Sequence, residues 1–223
     1  MSRPYFRQVP NFEYVSRNAG EQNISDYVEV KNLFKRGKLR EDIFGNLQFF
    51  TKYKVIGNER PDNVAFKIYG DETLDWVILL SNNILNVQTE WPLTQNGFDS
   101  YLLDKYGTYQ NINATHHYET LEVKNANGIT IIPEGTIVPS NFSTSYFDST
   151  LNRKVTVKNI TREVTNYQYE QKIEDDKRNI FILKPTYLNV VFTDMDSIMP
   201  YKKGAAQYVS STLKKGDNIR LYT

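Results

Sequence analysis

Pro61 and Gly70 bracket a short run in which Val64, Ala65, Ile68 and Tyr69 recur at helical spacing. Proline suits the first helical position, where its missing N–H has no intrahelical partner to lose. Glycine ends a helix by taking up a left-handed backbone. The pair therefore predicts one helix with both ends fixed. Asp71 or Thr73 can cap a second helix, in which Leu74, Val77, Ile78 and Leu80 face a core with Trp76 nearby, and Ser81, Asn82 and Asn83 stop it. Upstream, residues 49–56 alternate and are rich in aromatics, which predicts a strand, and Gly57 and Asn58 turn the chain. Residues 49–83 thus read as strand, helix, helix.

The flanks are less regular. Residues 1–22 are polar, interrupted by Pro4, Pro10 and Gly20, and their scattered Tyr5, Phe6, Phe12 and Tyr14 suggest a tail that docks. The cluster Lys35, Arg36, Lys38 and Arg40 could form a phosphate-binding face. Broken by Gly37 and followed by Glu41 and Asp42, it reads better as a solvated turn or a partner contact. Trp91 and Pro92 mark a connection, and residues 97–106 form a third short helix ending at Gly107. Residues 117–123 and 129–132, joined through Asn127 and Gly128, read as a hairpin. Residues 135–138 and 155–164 add β-prone runs around a polar stretch at 140–152. Residues 167–178 permit a helix, 180–183 a strand, and Pro185 opens a helix through Met199. The boundaries that follow are 1–48, 49–107, 108–165 and 166–223.

Composition limits the chemistry. The 27 basic and 26 acidic residues leave a net charge of +1, which gives no electrostatic reason to expect nucleic acid or an anionic membrane. There is no cysteine, so disulfides, thiolate metal sites and cysteine nucleophiles are excluded, in keeping with a reducing cytoplasm. The first residues lack the apolar core of a signal peptide, and no apolar run approaches membrane-spanning length. Sixteen tyrosines suit protein contacts, although half-buried strand positions would use them equally well.

A search for catalysis finds nothing. His116 and His117 are neighbours on an expected strand, so their side chains should point to opposite faces and share neither metal nor proton. Glu174, Asp175 and Asp176, interleaved with Lys172, Lys177 and Arg178, read as a solvated helix face rather than a catalytic pair. Glu59 and Glu90 have no visible partner. No cofactor and no metal are expected.

Two resemblances follow from these residues. Tyr53, Val55, Ala65, Ile68, Tyr69, Gly70, Trp76, Ile78 and Asn82 resemble the core of a LysM module, a β-α-α-β unit best known for gripping cell-wall sugars. The loop that would help cradle the sugar is replaced by residues 57–62, charged and stiffened by Pro61, which argues for the shape without the ligand. With its flanks, including Phe34 to Arg40, Arg60, Trp91 to Leu93, His117 to Thr120 and Ile182 to Pro185, the chain resembles the small LysM-containing wedge subunit of contractile-tailed (myovirus) phage baseplates.

That resemblance implies an α+β fold with a LysM-like core, an N-terminal docking extension and a β-rich C-terminal region with extended arms. It implies a non-enzymatic virion protein of a six-fold baseplate, made in the host cytoplasm. Its partners would be other wedge proteins and the sheath-initiating subunit, and it would hold wedges around the hub. Contacts would come mostly from residues 1–45 and 108–165, with Tyr5, Phe6, Phe34, Arg36, Trp91, Tyr118, Tyr146 and Phe147 as candidates. The alternative is a glycan-binding module of a cell-wall-active protein, lined by aromatics such as Trp91. A wall-degrading enzyme is a third reading, weakened by the missing catalytic set.

Overall fold

The computed structural model describes residues 3–15, 27–203 and 209–215. Residues 16–26 of the expected docking extension and the final residues 216–223 lie outside the described residues. The fold mixes helices with small sheets, and the chain divides into two compact units, Met1–Trp91 with Arg178–Thr223, and Pro92–Lys177. The helix placed by sequence with the 49–107 core therefore belongs to the second unit.

The first unit begins with α1 (Tyr5–Gln8), β1 (Asn11–Val15), β2 (Tyr27–Lys31) and α2 (Glu41–Phe44). Then come β3 (Phe50–Lys54), α3 (Pro61–Tyr69), α4 (Asp75–Ser81) and α5 (Val87–Glu90). Pro61 opens α3, and Gly70 closes it at φ +73°, its N–H bonding the Phe66 carbonyl at 2.9 Å. An added Cβ at Gly70 would meet nothing, so the left-handed backbone alone requires glycine there. The Asp71 carboxylate caps the following turn through the Thr73 N–H at 2.9 Å. Val64, Ala65, Val77 and Ile78 are fully buried where the two helices meet the core.

The second unit holds α6 (Gln95–Tyr106), α7 (Tyr109–Ile112), β4 (Thr115–Thr120), β5 (Val123–Lys124) and β6 (Thr130–Ile132). After these come β7 (Ile137–Val138), β8 (Thr144–Asp148), β9 (Arg153–Val157), β10 (Thr161–Thr165) and α8 (Asn166–Lys177). The expected 117–132 hairpin is only partly formed. β4 pairs with β10 and β7, leaving β5 and β6 to pair across the Asn127–Gly128 turn. Asn159 takes φ +56° and breaks the 155–164 run into β9 and β10, while the polar 140–152 stretch contains β8. Glu174 departs from the solvated face expected of it. It is buried, accepts the Leu93 N–H and pairs with Lys177.

Glu170 anchors α8 on α6 more firmly still. It is 4% exposed and accepts from Lys105 Nζ at 2.6 Å, Tyr106 Oη at 2.9 Å and Tyr101 Oη at 3.2 Å. Burial pushes its carboxyl up, but the hydrogen bonds from Lys105 and the tyrosines outweigh burial and hold it below the usual glutamate range.

The chain then returns to the first unit as β11 (Asn179–Leu183), α9 (Leu188–Ile198) and β12 (Leu213–Lys215). β11 pairs antiparallel with β3, Phe50 opposite Leu183 and Tyr53 opposite Ile180. The Val55 N–H to the Arg178 carbonyl, 2.8 Å, and the Lys184 N–H to the Phe49 carbonyl, 2.9 Å, extend the ladder. On the outer side of β11 the Asn82 carboxamide takes the place of another strand. Its Oδ1 accepts the Phe181 N–H at 2.7 Å, and its Nδ2 donates to the Phe181 and Ile78 carbonyls, both at 2.8 Å. Tyr69 Oη donates to the Leu183 carbonyl at 2.9 Å. Ile180, Ile182 and Leu183 complete a core with Val55, Val64, Ala65, Trp76, Val77 and Ile78. A separate small sheet runs β12-β1-β2.

Two stability measurements test this reading. Asn82→Ala strips β11 of its outer partner and should cost about 2 kcal/mol in denaturant unfolding; a loss under about 0.5 kcal/mol would contradict the role assigned to that amide. Because the Glu170 carboxyl is held low, its contribution is present above the ordinary glutamate value of about 4.3 and is lost as pH falls through the native value. Glu170→Gln should therefore lower the melting temperature at pH 7 and flatten the acid-side decline. An unchanged acid slope would refute this.

Candidate protein-contact surface

Residues 32–37, just after β2, build a turn that is held from below and bare on top. The Asn32 N–H bonds the Pro10 carbonyl at 2.9 Å, and its side-chain amide donates to Tyr201 Oη at 2.8 Å while accepting the Phe34 N–H at 3.2 Å. Lys35 Nζ has three donors, and they meet the carbonyls of Ile198 at 2.9 Å, Met199 at 2.6 Å and Pro200 at 2.9 Å. These carbonyls close the C-terminal end of α9, where orphan acceptors and the helix dipole favour a cation. Burial, with the charges of Lys202 and Lys214, holds this ammonium below the ordinary lysine value. The Gly37 N–H bonds Tyr5 Oη at 3.0 Å, and a Cβ at Gly37 would lie 2.6 Å from the Met195 sulfur, so only glycine fits there unless Met195 moves.

The turn so fixed leaves Leu33 71% and Phe34 101% exposed. A phenyl ring left in water forgoes about 1.5–3 kcal/mol of burial, on the scale of fully burying a large apolar side chain. Val28 and Val30, on one face of β2, are exposed as well. A cavity of about 680 Å³ lies against the following residues, walled by Leu39, Phe44 and Leu80 with Arg36 and Lys38 in its lining. Lys38 pairs with Glu41 and Arg40 with Asp42, whereas Arg36 has no ion-pair partner among the described residues.

The remaining candidates scatter. Phe6 is exposed beside Tyr5, while Tyr5 itself is half-buried against Trp76, ring centroids 5.9 Å apart. Tyr118, Tyr146 and Phe147 belong to the second unit, the first two half-buried and Phe147 exposed. Trp91 is corrected: it is 5% exposed, and its indole N–H donates to the Glu59 carbonyl at 2.9 Å, so it offers no surface to a partner or a sugar. The 57–62 loop is equally occupied. Glu59 Oε2 accepts from Tyr53 Oη at 2.9 Å and the Ile56 N–H at 3.1 Å, Lys67 pairs with Oε1, and Arg178 donates to the Gly57 carbonyl at 2.9 Å.

The histidines also depart from expectation. Opposite β4, the pairing jumps from Val164–His117 to Thr165–Thr115, so His116 is the extra residue of a β-bulge. The bulge brings both rings to one side, with Nδ1 atoms 2.7 Å apart. His116 stacks on Tyr169 at 4.0 Å, and His117 Nε2 lies 3.2 Å from Glu119. The two rings therefore can share a proton. Among the described residues no group of three or more His, Cys, Asp or Glu is placed to hold a metal ion, and no helix is long and apolar enough to cross a membrane.

Sequence reasoning missed Leu33, Phe44 and the anchors Asn32 and Lys35. Lys35 stands four residues beyond the end of β2, and the sequence groups it with its exposed neighbours because its acceptors are remote.

The turn, the cavity and helices α1 to α5 all fall in a stretch that known sequences share. Residues 5–129, more than half of the chain, match the family model of base plate wedge protein 53. No curated protein matches the chain. The chain belongs to the base plate wedge protein 53 family and is a bacteriophage baseplate wedge subunit.

Proposed function

We propose that this subunit works by contact alone, without catalysis, holding neighbouring wedge proteins together and adjacent wedges around the hub of a contractile tail. The observation that carries the reading is the Leu33–Phe34 turn. Apolar side chains left bare on a mobile loop would mean little. These two sit on a backbone locked by Asn32, Lys35 and Tyr5, so little conformational entropy remains to be lost when a partner covers them. Arg36 and the adjoining cavity supply a cationic and apolar rim.

The unit that carries the turn is read as LysM-like. β3, α3, α4 and β11 give strand, helix, helix, strand, and Tyr53, Val55, Ala65, Ile68, Tyr69, Gly70, Trp76, Ile78 and Asn82 occupy it. Its closing strand arrives only after the whole second unit. Partners in this reading are other wedge proteins and the sheath-initiating subunit within a six-fold baseplate, met during assembly in the host cytoplasm. Sugar binding is disfavoured because Trp91 and the 57–62 loop are turned to internal bonds.

Co-expression with the purified-tag baseplate proteins of the same phage tests the reading. Leu33→Ser with Phe34→Ser should reduce co-purification at least tenfold while leaving the melting temperature of the isolated chain unchanged or higher. Undiminished co-purification would overturn the assignment of this turn. The same protein should show no saturable binding to insoluble peptidoglycan or chitin; saturable binding would favour the glycan reading instead.

A further inference from the structure

The second unit carries a ribbon that the matched stretch does not include. β8 and β9 pair with each other and with no other strand among the described residues, Tyr146 opposite Val155 and Phe147 opposite Lys154. Two-stranded ribbons are marginal in water unless something covers them. This one has a rigid tip. The buried Asp148 carboxylate accepts the Thr150 and Leu151 N–H groups at 2.9 and 3.2 Å, and Asn152 takes φ +47°.

Its two faces differ. Thr144, Tyr146, Val155 and Val157 are half-buried on one side, whereas Ser145, Phe147, Lys154 and Thr156 are exposed on the other. Directly opposed residues share a face, so Phe147, 64% exposed, stands beside Lys154. Arg153, Lys154 and Lys158 are all exposed and have no ion-pair partner among the described residues. The acid within the ribbon, Asp148, is committed to the tip. A chain of almost balanced charge thus sets the unpaired Lys154 beside one exposed aromatic ring, with Lys158 just past the end of β9 and Arg153 on the other face opposite Asp148, all along unpaired strand edges.

We infer that the β8–β9 ribbon is a docking arm for an acidic protein segment, which adds as an extended strand along a ribbon edge, sets carboxylates against Arg153, Lys154 and Lys158, and covers Phe147. Backbone hydrogen bonds would give such a contact its strength and the opposed charges its choice of partner. The inference rests on the reading of this chain as a wedge subunit that acts through protein contacts.

The test uses the full chain with the baseplate proteins of its own phage, each purified. The wild type should bind at least one acidic member. Carbodiimide, which joins lysines to carboxylates without a spacer, should link Lys154 or Lys158 to that partner's Asp or Glu. Arg153→Glu, Lys154→Glu and Lys158→Glu together should weaken binding at least tenfold at physiological salt and flatten its salt dependence; Phe147→Ser should weaken it with the salt dependence kept. Melting temperatures of all variants, altered only at exposed positions, report whether the ribbon's unit still folds. Equal binding by the wild type and the charge-reversed chain, or cross-links confined to other lysines, would overturn the arm while leaving the Leu33–Phe34 contact standing. Binding to none of the baseplate proteins would overturn both readings. Duplex DNA or vesicles of phosphatidylglycerol binding through the same three cations, with no baseplate protein doing so, would reassign the ribbon to another anionic partner.

Discussion

The pairing of β3 with β11, closed on its far side by the Asn82 carboxamide, is the interaction on which the first unit depends. Two short helices cannot bury their apolar stripes against a single strand. β11 brings Ile180, Ile182 and Leu183 to them, and Asn82 satisfies the backbone of Phe181 that a third strand would otherwise have to meet. The cost is topological, because the ladder cannot form until the chain has run through the second unit and come back. Such a closure ties the two halves of the first unit to one folding event, and it places α9 where its C-terminal carbonyls can receive Lys35.

From that closure the geometry of the proposed contact turn follows in order. α9 supplies the carbonyls that hold Lys35, Met195 on α9 packs where Gly37 leaves room, and Tyr5 takes the Gly37 N–H. The turn between Asn32 and Gly37 is thereby fixed by side chains far from it in sequence, and Leu33 and Phe34 are carried outward. An assembly subunit gains from such an arrangement, since ordering costs are met before the partner arrives. Membership in the baseplate wedge family and this prepared apolar turn point the same way.

Much of the first unit was legible because its determinants are local. Pro61 and Gly70 set the ends of α3 through backbone rules, and the apolar spacing of Val64, Ala65, Ile68 and Tyr69 set its face. Strand 180–183 was legible as a strand but not as the partner of residues 50–54, since pairing between remote segments leaves no local trace. The same reason hid Lys35, whose acceptors lie beyond residue 197, and Glu174, whose partner is the Leu93 N–H. The histidine pair was misread for a different cause. Strict alternation assumes a regular strand, and the bulge at His116 breaks it. Trp91 looked like a surface aromatic beside a proline, and only the fold shows its indole turned to the Glu59 carbonyl.

Hydrogen exchange, read by mass spectrometry on the isolated chain and on the chain assembled with its wedge partners, addresses the central claim most directly. The account predicts slow exchange across residues 50–54 and 179–183 in both states, with new protection on assembly concentrated at residues 27–38. Fast exchange of that ladder in the isolated chain, or unchanged exchange at residues 27–38 after assembly, would contradict it.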